Sequence, residues 1–170
     1  MLANKGEQFV KNAMKFRASS IFETTRKKYD MKISAVLVIL AKYRGKDGIL
    51  MMQRAKGTSY AGQLTFPGGA VEKSDRSNKL AALRETFEEI PGLRDHGIDV
   101  LDYEYPFGSE EFYKYDIRTY LAELQTEIDI NELEFSRSEV SNLQFLDFDT
   151  LLKPGRVNSP SKLLNLRYLV

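Results

Sequence analysis

The chain contains no cysteine, which excludes disulfides, thiolate metal ligands and a cysteine nucleophile. That absence is compatible with a reducing compartment. Histidine is nearly missing as well. The only one, His96, sits in the polar stretch Arg94-Asp95-His96-Gly97, a poor foundation for a serine–histidine hydrolase. There is no excess of either charge, since 25 Lys and Arg face 24 Asp and Glu. A dedicated nucleic-acid coat draws its affinity from a basic excess, so that class is disfavoured, although a local basic patch stays open. The longest apolar run, Ile33 to Ala41, falls far short of the roughly 20 residues that a membrane helix needs. No membrane association is expected. The first thirty residues lean basic (Lys5, Lys11, Lys15, Arg17, Arg26, Lys27, Lys28) but also carry Glu7 and Glu23. Transit peptides are poor in acids, so organellar import is weakly supported and an intracellular, cytoplasmic location is expected. The final residues, Leu166 to Val170, match no Ser-Lys-Leu-type peroxisomal tail.

What is present is an ordinary globular composition, 42% hydrophobic and 29% charged over 170 residues, enough for one compact domain. Residues 1–31 read as an N-terminal helical extension, with Phe9, Ala13 and Phe16 at helical spacing, and residues 32–170 as the main domain. Lys32 to Ala41 and Ile49 to Arg54 read as strands of a hairpin turning through Tyr43 to Gly48. Ala55 to Gly62 is a polar loop and Leu64 to Phe66 a short strand stopped by Pro67-Gly68-Gly69. Arg76 to Ile90 is a helix closed by Pro91-Gly92. Further strands are expected at Ile98 to Phe107, Tyr115 to Glu123 and Leu143 to Phe148, with a loop at Gly108 to Lys114. A short helix capped by Asp149 and a terminal helix opening at Ser159-Pro160 complete the reading. Strands on both sides of a central helix imply an α+β fold, a mixed sheet sandwiched between helices.

The central helix carries the chemistry. Glu85, Glu88 and Glu89 fall at i, i+3 and i+4, which places them on one helical face at about 100° per residue. Leu80, Leu83, Phe87 and Ile90 form the opposite, core-facing stripe. Clustered carboxylates repel, and a divalent cation that prefers hard oxygen ligands, Mg²⁺ or Mn²⁺, turns the repulsion into binding. Arg84 stands beside them, able to orient a carboxylate by a two-pronged contact. Acidic residues on a helix are more often a solvated face. What shifts the balance is the Phe66-Pro67-Gly68-Gly69 turn upstream, where glycine allows a backbone carbonyl to be aimed at a cation.

From Gly68 to Glu89 the sequence resembles the Nudix box: a glycine, five residues, an acid, a spacer, then Arg-Glu-x-x-Glu-Glu. Here Gly69 is followed by Asp75, then by eight residues and Arg84-Glu85-Thr86-Phe87-Glu88-Glu89. The general pattern has glutamate in place of Asp75, a spacer one residue shorter, and glycine in place of Pro91. Asp75 and the longer spacer, with Phe66-Pro67-Gly68-Gly69, Ala82-Leu83-Arg84-Glu85, Gln53-Arg54 and Ala61-Gly62-Gln63, are similar to the coenzyme A diphosphatase branch. Thr58 and Tyr60 stand where that branch has arginine and histidine. The resemblance extends over roughly Lys32 to Leu152.

The resemblance implies a hydrolase in which Glu85, Glu88, Glu89 and the Gly68 carbonyl hold Mg²⁺ or Mn²⁺, with Arg84 orienting the glutamates and Asp75 outside them. Glu85, Glu88, Arg84 and Glu139 are the candidate catalytic residues, and Glu110 and Glu111 are further candidates for the base. Arg54, Lys56 and Gly69 are the candidate substrate contacts, the two basic ones facing the phosphate on the adenosine side. The implied substrate is a small nucleotide-containing molecule, coenzyme A or an acyl-coenzyme A, cut to 3′,5′-ADP and a 4′-phosphopantetheine. Three alternatives remain: a Nudix hydrolase of ADP-ribose, dinucleotides, nucleoside triphosphates or capped RNA; an inactive Nudix-fold binding module; and a structural domain whose acidic helix faces water. The sequence leaves the oligomeric state open, a homodimer included.

Overall fold

The structure is a computed structural model that describes residues 2–14, 32–107 and 115–151. The expected loop at Gly108 to Lys114, with Glu110 and Glu111, and the expected terminal helix at Ser159-Pro160 lie outside the described residues. So does Phe16.

β1 (Lys32–Tyr43) is the spine of the fold. Its eight residues Ser34 to Ala41 are buried, and they alternate between two cores. Val36, Val38 and Leu40 join Phe9, Ile49, Met51, Phe66, Ile117, Leu121 and Phe148 on one face. Ala35, Leu37, Ile39 and Ala41 join Leu50, Met52, Ala81, Ala82, Ile90 and Leu93 on the other. A strand covered on both faces reads as a continuous apolar run, which is why this segment lacks polar alternation.

β2 (Lys46–Arg54) returns antiparallel to β1 through Arg44-Gly45, both at positive φ, the geometry of a two-residue hairpin turn. The turn is tighter than expected. Gly48, read as part of it, lies within β2 opposite Asp147, where a Cβ would meet the Leu146 carbonyl oxygen. β3 (Leu64–Thr65) pairs with β2, and β4 (Gly68–Ala70) pairs with β1. α1 is Leu2–Met14 and α2 is Asn78–Glu89, followed by a 3-10 turn, Pro91–His96. β5 (Ile98–Phe107) runs antiparallel to β6 (Tyr115–Leu124), which runs parallel to β1. β7 (Val140–Asp147) pairs with β2, and α3 (Phe148–Leu151) follows. The result is a seven-stranded mixed sheet, with β3-β2-β1-β6-β5 in order, β4 added beside β1 and β7 beside β2.

α1 covers one face of this sheet and α2 the other, so the α+β sandwich expected from the sequence is the architecture found. Gly6 lets α1 lie close, since a Cβ there would stand 2.6 Å from a Leu40 methyl. Phe9 meets Phe66 edge-on at 6.3 Å. The end of the described chain departs from expectation. β7 begins three residues early, at Val140, and α3 is capped by Asp147, not Asp149: the Asp147 carboxylate accepts from the Thr150 amide at 2.9 Å. A cap must precede its helix, and Phe148 already belongs to α3. Among the described residues no helix is long and apolar enough to cross a membrane.

Candidate functional site

α2 starts two residues later than the sequence suggested, because Ser77 caps it: the Leu80 amide donates to the Ser77 hydroxyl at 3.1 Å. It stops at Glu89, before the Ile90-Pro91 step that disfavours helix. Its buried face is only partly the one expected: Ile90 is fully buried, as anticipated. Leu80 is 46% exposed, Leu83 and Phe87 are only partly buried, and Ala81, Ala82, Thr86 and Glu89 form the buried surface. The small side chains at 81 and 82 allow a closer seat on β1 and β4 than leucine would. Thr86 tolerates burial because its hydroxyl donates to the Ala82 carbonyl at 2.7 Å.

Rotating the helix in this way grades the three glutamates. The Glu88 side chain is 51% exposed, Glu85 is mostly covered, and Glu89 retains only 4%. The expectation that all three face outward together is corrected by this seat. Glu89 is buried against β4, where the Gly68 amide donates to its Oε1 at 2.8 Å. Burial pushes the Glu89 carboxyl up to about 8. The Gly68 amide opposes the rise, Glu139 and Glu85 add to it, and Arg54 opposes it. Burial likewise raises Glu85, against the pull of Arg84.

β4 explains both glycines. Gly68 has φ +149, and a Cβ there would sit 2.3 Å from the Ala35 carbonyl oxygen, so β4 can approach β1 only without a side chain. At Gly69 a Cβ would stand 2.6 Å from Cδ of Glu85, so the vacancy is filled by the glutamate's own carboxylate. The pair read as a turn is in fact a short strand lying beneath the acidic helix.

Arg84 organises the exposed side. It grips Asp75 with both prongs, Nε to Oδ1 and Nη2 to Oδ2, each at 2.9 Å. Its Nη1 donates to Glu85 at 3.0 Å and to Glu88 at 3.3 Å, and Nη2 also reaches the Ala70 carbonyl at 3.2 Å. The Arg84 hydrogen bonds hold the Asp75 carboxyl below its ordinary range, helped by the Glu72 amide, which donates to it at 2.8 Å. The Ala70 and Glu72 contacts could not be read from the sequence, since both come from backbone groups.

Two residues far apart in the sequence join the cluster. β2 ends at Arg54 opposite Val140, and the Ala55 amide donates to the Glu139 carbonyl at 3.0 Å. Arg54 and Glu139 thus both come within electrostatic reach of Glu89. Lys56 is exposed on the following loop and has no ion pair or hydrogen bond among the described residues. A separate cleft of about 600 Å³, lined by Tyr43, Arg44, His96, Glu127, Asp129 and Glu134 among others, includes none of these site residues. His96 there lies 2.8 Å from the Thr126 hydroxyl.

Among the described residues no three acidic or imidazole side chains stand close enough together to ligate one ion. The Arg84 Nη1 draws Glu85 and Glu88 toward itself, and Gly68 holds Glu89. Binding a cation would require side-chain rotation. The donor set nevertheless suits one: the oxygens are hard, the carboxylates feel one another's charge, and the Gly69 vacancy leaves Glu85 room to lie against β4.

The profile of the NUDIX domain family matches residues 31–166. The chain belongs to the NUDIX family. A probable nudix hydrolase of Schizosaccharomyces pombe is 35% identical over 125 residues, 72% of this chain and 42% of the relative. The Nudix hydrolase NudL of Citrobacter koseri, described as uncharacterized, is 48% identical over 58 residues, 34% of this chain and 30% of that protein. The chain therefore spans less than half the length of these curated relatives. Among solved structures, a Caenorhabditis elegans Ap4A hydrolase complex superposes with a TM-score of 0.55 at 21% identity, covering 81% of this chain and 96% of that one. The Nudix hydrolase RenU of M. smegmatis gives 0.56 at 18%, covering 81% and 86%. Both likenesses establish the Nudix fold.

Proposed function

We propose that this Nudix chain is a divalent-cation-dependent hydrolase that cleaves the diphosphate bond of a nucleoside-diphosphate-linked compound, with coenzyme A or an acyl-coenzyme A as substrate. The observation that supports this most is Glu89, a carboxyl buried against β4 at Gly68, where a side chain would clash with β1, and within electrostatic reach of Glu85 and Glu139. Burying a carboxyl within reach of like charges costs stability, so the arrangement points to a cationic ligand. The residues to hold Mg²⁺ or Mn²⁺ are Glu85, Glu88, Glu89 and the Gly68 carbonyl. When bound, the cation neutralises diphosphate charge and makes its water more acidic.

The chain's own groups do the rest. Arg84, locked by Asp75, sets the orientation of Glu85 and Glu88. Glu139, exposed and near Glu89, accepts the proton of the attacking water. Arg54 meets the phosphate on the adenosine side at the rim, with Lys56 on the adjoining loop. Gly69 keeps the floor beneath Glu85 free of a side chain.

The choice of coenzyme A rests on Asp75, the longer spacer and Gln53-Arg54. Thr58 and Tyr60, in place of that branch's arginine and histidine, count against coenzyme A and support a second reading, a Nudix hydrolase of ADP-ribose, dinucleotides, nucleoside triphosphates or capped RNA. Both are tested by incubating the protein with Mg²⁺ or Mn²⁺ and coenzyme A, acyl-coenzyme A, ADP-ribose, dinucleotides, nucleoside triphosphates and capped RNA. Chromatography should reveal 3′,5′-ADP and 4′-phosphopantetheine. Cleavage of one of the other compounds without cleavage of coenzyme A or its acyl form selects the second reading, and cation binding without turnover of any substrate selects an inactive binding module.

A further inference from the structure

We infer that Arg84 is an internal stand-in for the cation: its Nη1 holds Glu85 and Glu88 together while no cation is bound and gives way when one arrives, so this contact competes with the cation and lowers its affinity. The inference rests on the cation site of the proposed function. It concerns the state of the chain before the cation binds, and it does not depend on which substrate is cleaved.

One nitrogen carries the argument. The other two guanidinium nitrogens are engaged away from the glutamates. Nε and Nη2 clasp the two Asp75 oxygens, each at 2.9 Å, and Nη2 also meets the Ala70 carbonyl at 3.2 Å. Nη1 donates to Oε1 of Glu85 at 3.0 Å and to Oε1 of Glu88 at 3.3 Å. A positively charged donor thus bridges two of the carboxylates proposed to hold the cation, and it supplies their counter-charge in its absence. The clasp makes the bridge durable. Asp75 is itself fixed, since its Oδ2 accepts from the Glu72 amide at 2.8 Å. With Nε and Nη2 pinned there, the guanidinium stays in the site, and the Nη1 contacts are the ones that change. Glu88 is the partner to be released: its side chain is 51% exposed and its bond is the longer. Glu85 is mostly covered and lies in the space that Gly69 leaves open, so Arg84 keeps hold of it and still orients it. Arg84 and the cation therefore compete for the Glu88 carboxylate.

Lysine at position 84 keeps the charge but loses the planar fork, so it can pair with Asp75 without also bridging the two glutamates. Mn²⁺ titrated by calorimetry should therefore bind Arg84→Lys about three- to tenfold more tightly than wild type. Equal or weaker binding by Arg84→Lys overturns the inference, because a residue that only arranges the glutamates for the cation loses affinity when its fork is removed. Wild type provides a second measurement that needs no variant. With isotope-labelled arginine followed by NMR, the Arg84 Nη1 hydrogens should exchange with water faster once Mg²⁺ is added, while the Nε hydrogen stays protected by Asp75. Nη1 protection that is unchanged at saturating Mg²⁺ overturns the inference as well. Neither measurement involves substrate, so the two readings fail separately. A wild type that binds Mn²⁺ but cleaves no compound in the panel defeats the hydrolase reading alone. Weaker Mn²⁺ binding by Arg84→Lys beside an active wild type defeats the inference alone. If neither wild type nor Arg84→Lys binds the cation, the inference falls with the cation site.

Discussion

Replacing Glu89 with glutamine should make the cation-free protein more stable at neutral pH while abolishing its activity. Glu89 is 4% exposed, and burial lifts its carboxyl from an ordinary 4.5 to about 8. A carboxyl raised by folding binds more protons in the native state than in the unfolded state, so between those two values stability falls as pH rises. Integrated from acid pH to pH 7, the loss is about 3 kcal/mol. Glutamine has nearly the same shape and keeps an oxygen for the Gly68 amide, but it cannot ionise beside Glu85 and Glu139. In EDTA, the unfolding midpoint of Glu89→Gln should therefore exceed that of wild type by roughly 6–12 °C at pH 7, at about 2–4 °C per kcal/mol for a chain of this size. The gap should close toward pH 4.5. Scanning calorimetry from pH 4.5 to 8.5 measures it. A wild-type midpoint flat across that range, with no advantage for Glu89→Gln at pH 7 to 8, would refute the claim that Glu89 is an electrostatically costly buried acid. Mg²⁺ should stabilise wild type and not the variant.

Other substitutions separate geometry from charge. In Gly69→Ala the new methyl displaces the flexible end of Glu85, so stability should change by under about 1 kcal/mol while kcat falls about 100-fold in a steady-state assay. In Gly68→Ala the clash is with backbone and φ is +149, so a urea melt should show a loss of about 3 kcal/mol or more. Arg84→Lys cannot hold both Asp75 oxygens and both glutamates, so kcat should fall about 100-fold, and a drop of under threefold would contradict its orienting role. Because Glu89 is protonated below about 8, Mn²⁺ binding at pH 7 should release close to one proton, detectable by calorimetry in buffers of different ionisation heat; Glu89→Gln should not release it.

Much of the fold was legible in the sequence because its elements carry separate signals. The centre of β1, Val36 to Leu40, is an unbroken Val/Ile/Leu run, which fits a strand covered on both faces, and Pro91 marks the end of α2. The limits of reading came where tertiary contacts decide. Helical periodicity placed Glu85, Glu88 and Glu89 on one arc, but it could not say which part of that arc faces the sheet. That depends on Ala81 and Ala82, whose small size matters only once β4 lies beneath them. Leucine at 80 looked like core and proved exposed for the same reason. Gly48 looked like turn punctuation, yet it lies in β2 because β7 crosses close by, a contact between residues about a hundred positions apart. Arg54 and Glu139 could be named individually, but only the β2–β7 pairing brings them to one place.

The charge balance of that place links stability to the proposed chemistry. Five carboxyl groups, those of Asp75, Glu85, Glu88, Glu89 and Glu139, face two guanidinium groups, Arg84 and Arg54. Arg84 is largely committed to Asp75, so Glu85 and Glu88 share what is left of it through one nitrogen. Arg54 spends its Nε on the Ser59 carbonyl and reaches Glu89 only through space. The surplus negative charge therefore falls on the most buried member of the set, where solvent screens it least. Two things can relieve it, a proton on Glu89 or a cation placed among the oxygens. Their competition makes cation affinity and apo stability move in opposite directions with pH. A purely structural acidic helix would have no reason to bury Glu89 against Gly68, since an exposed carboxylate would be solvated at no cost.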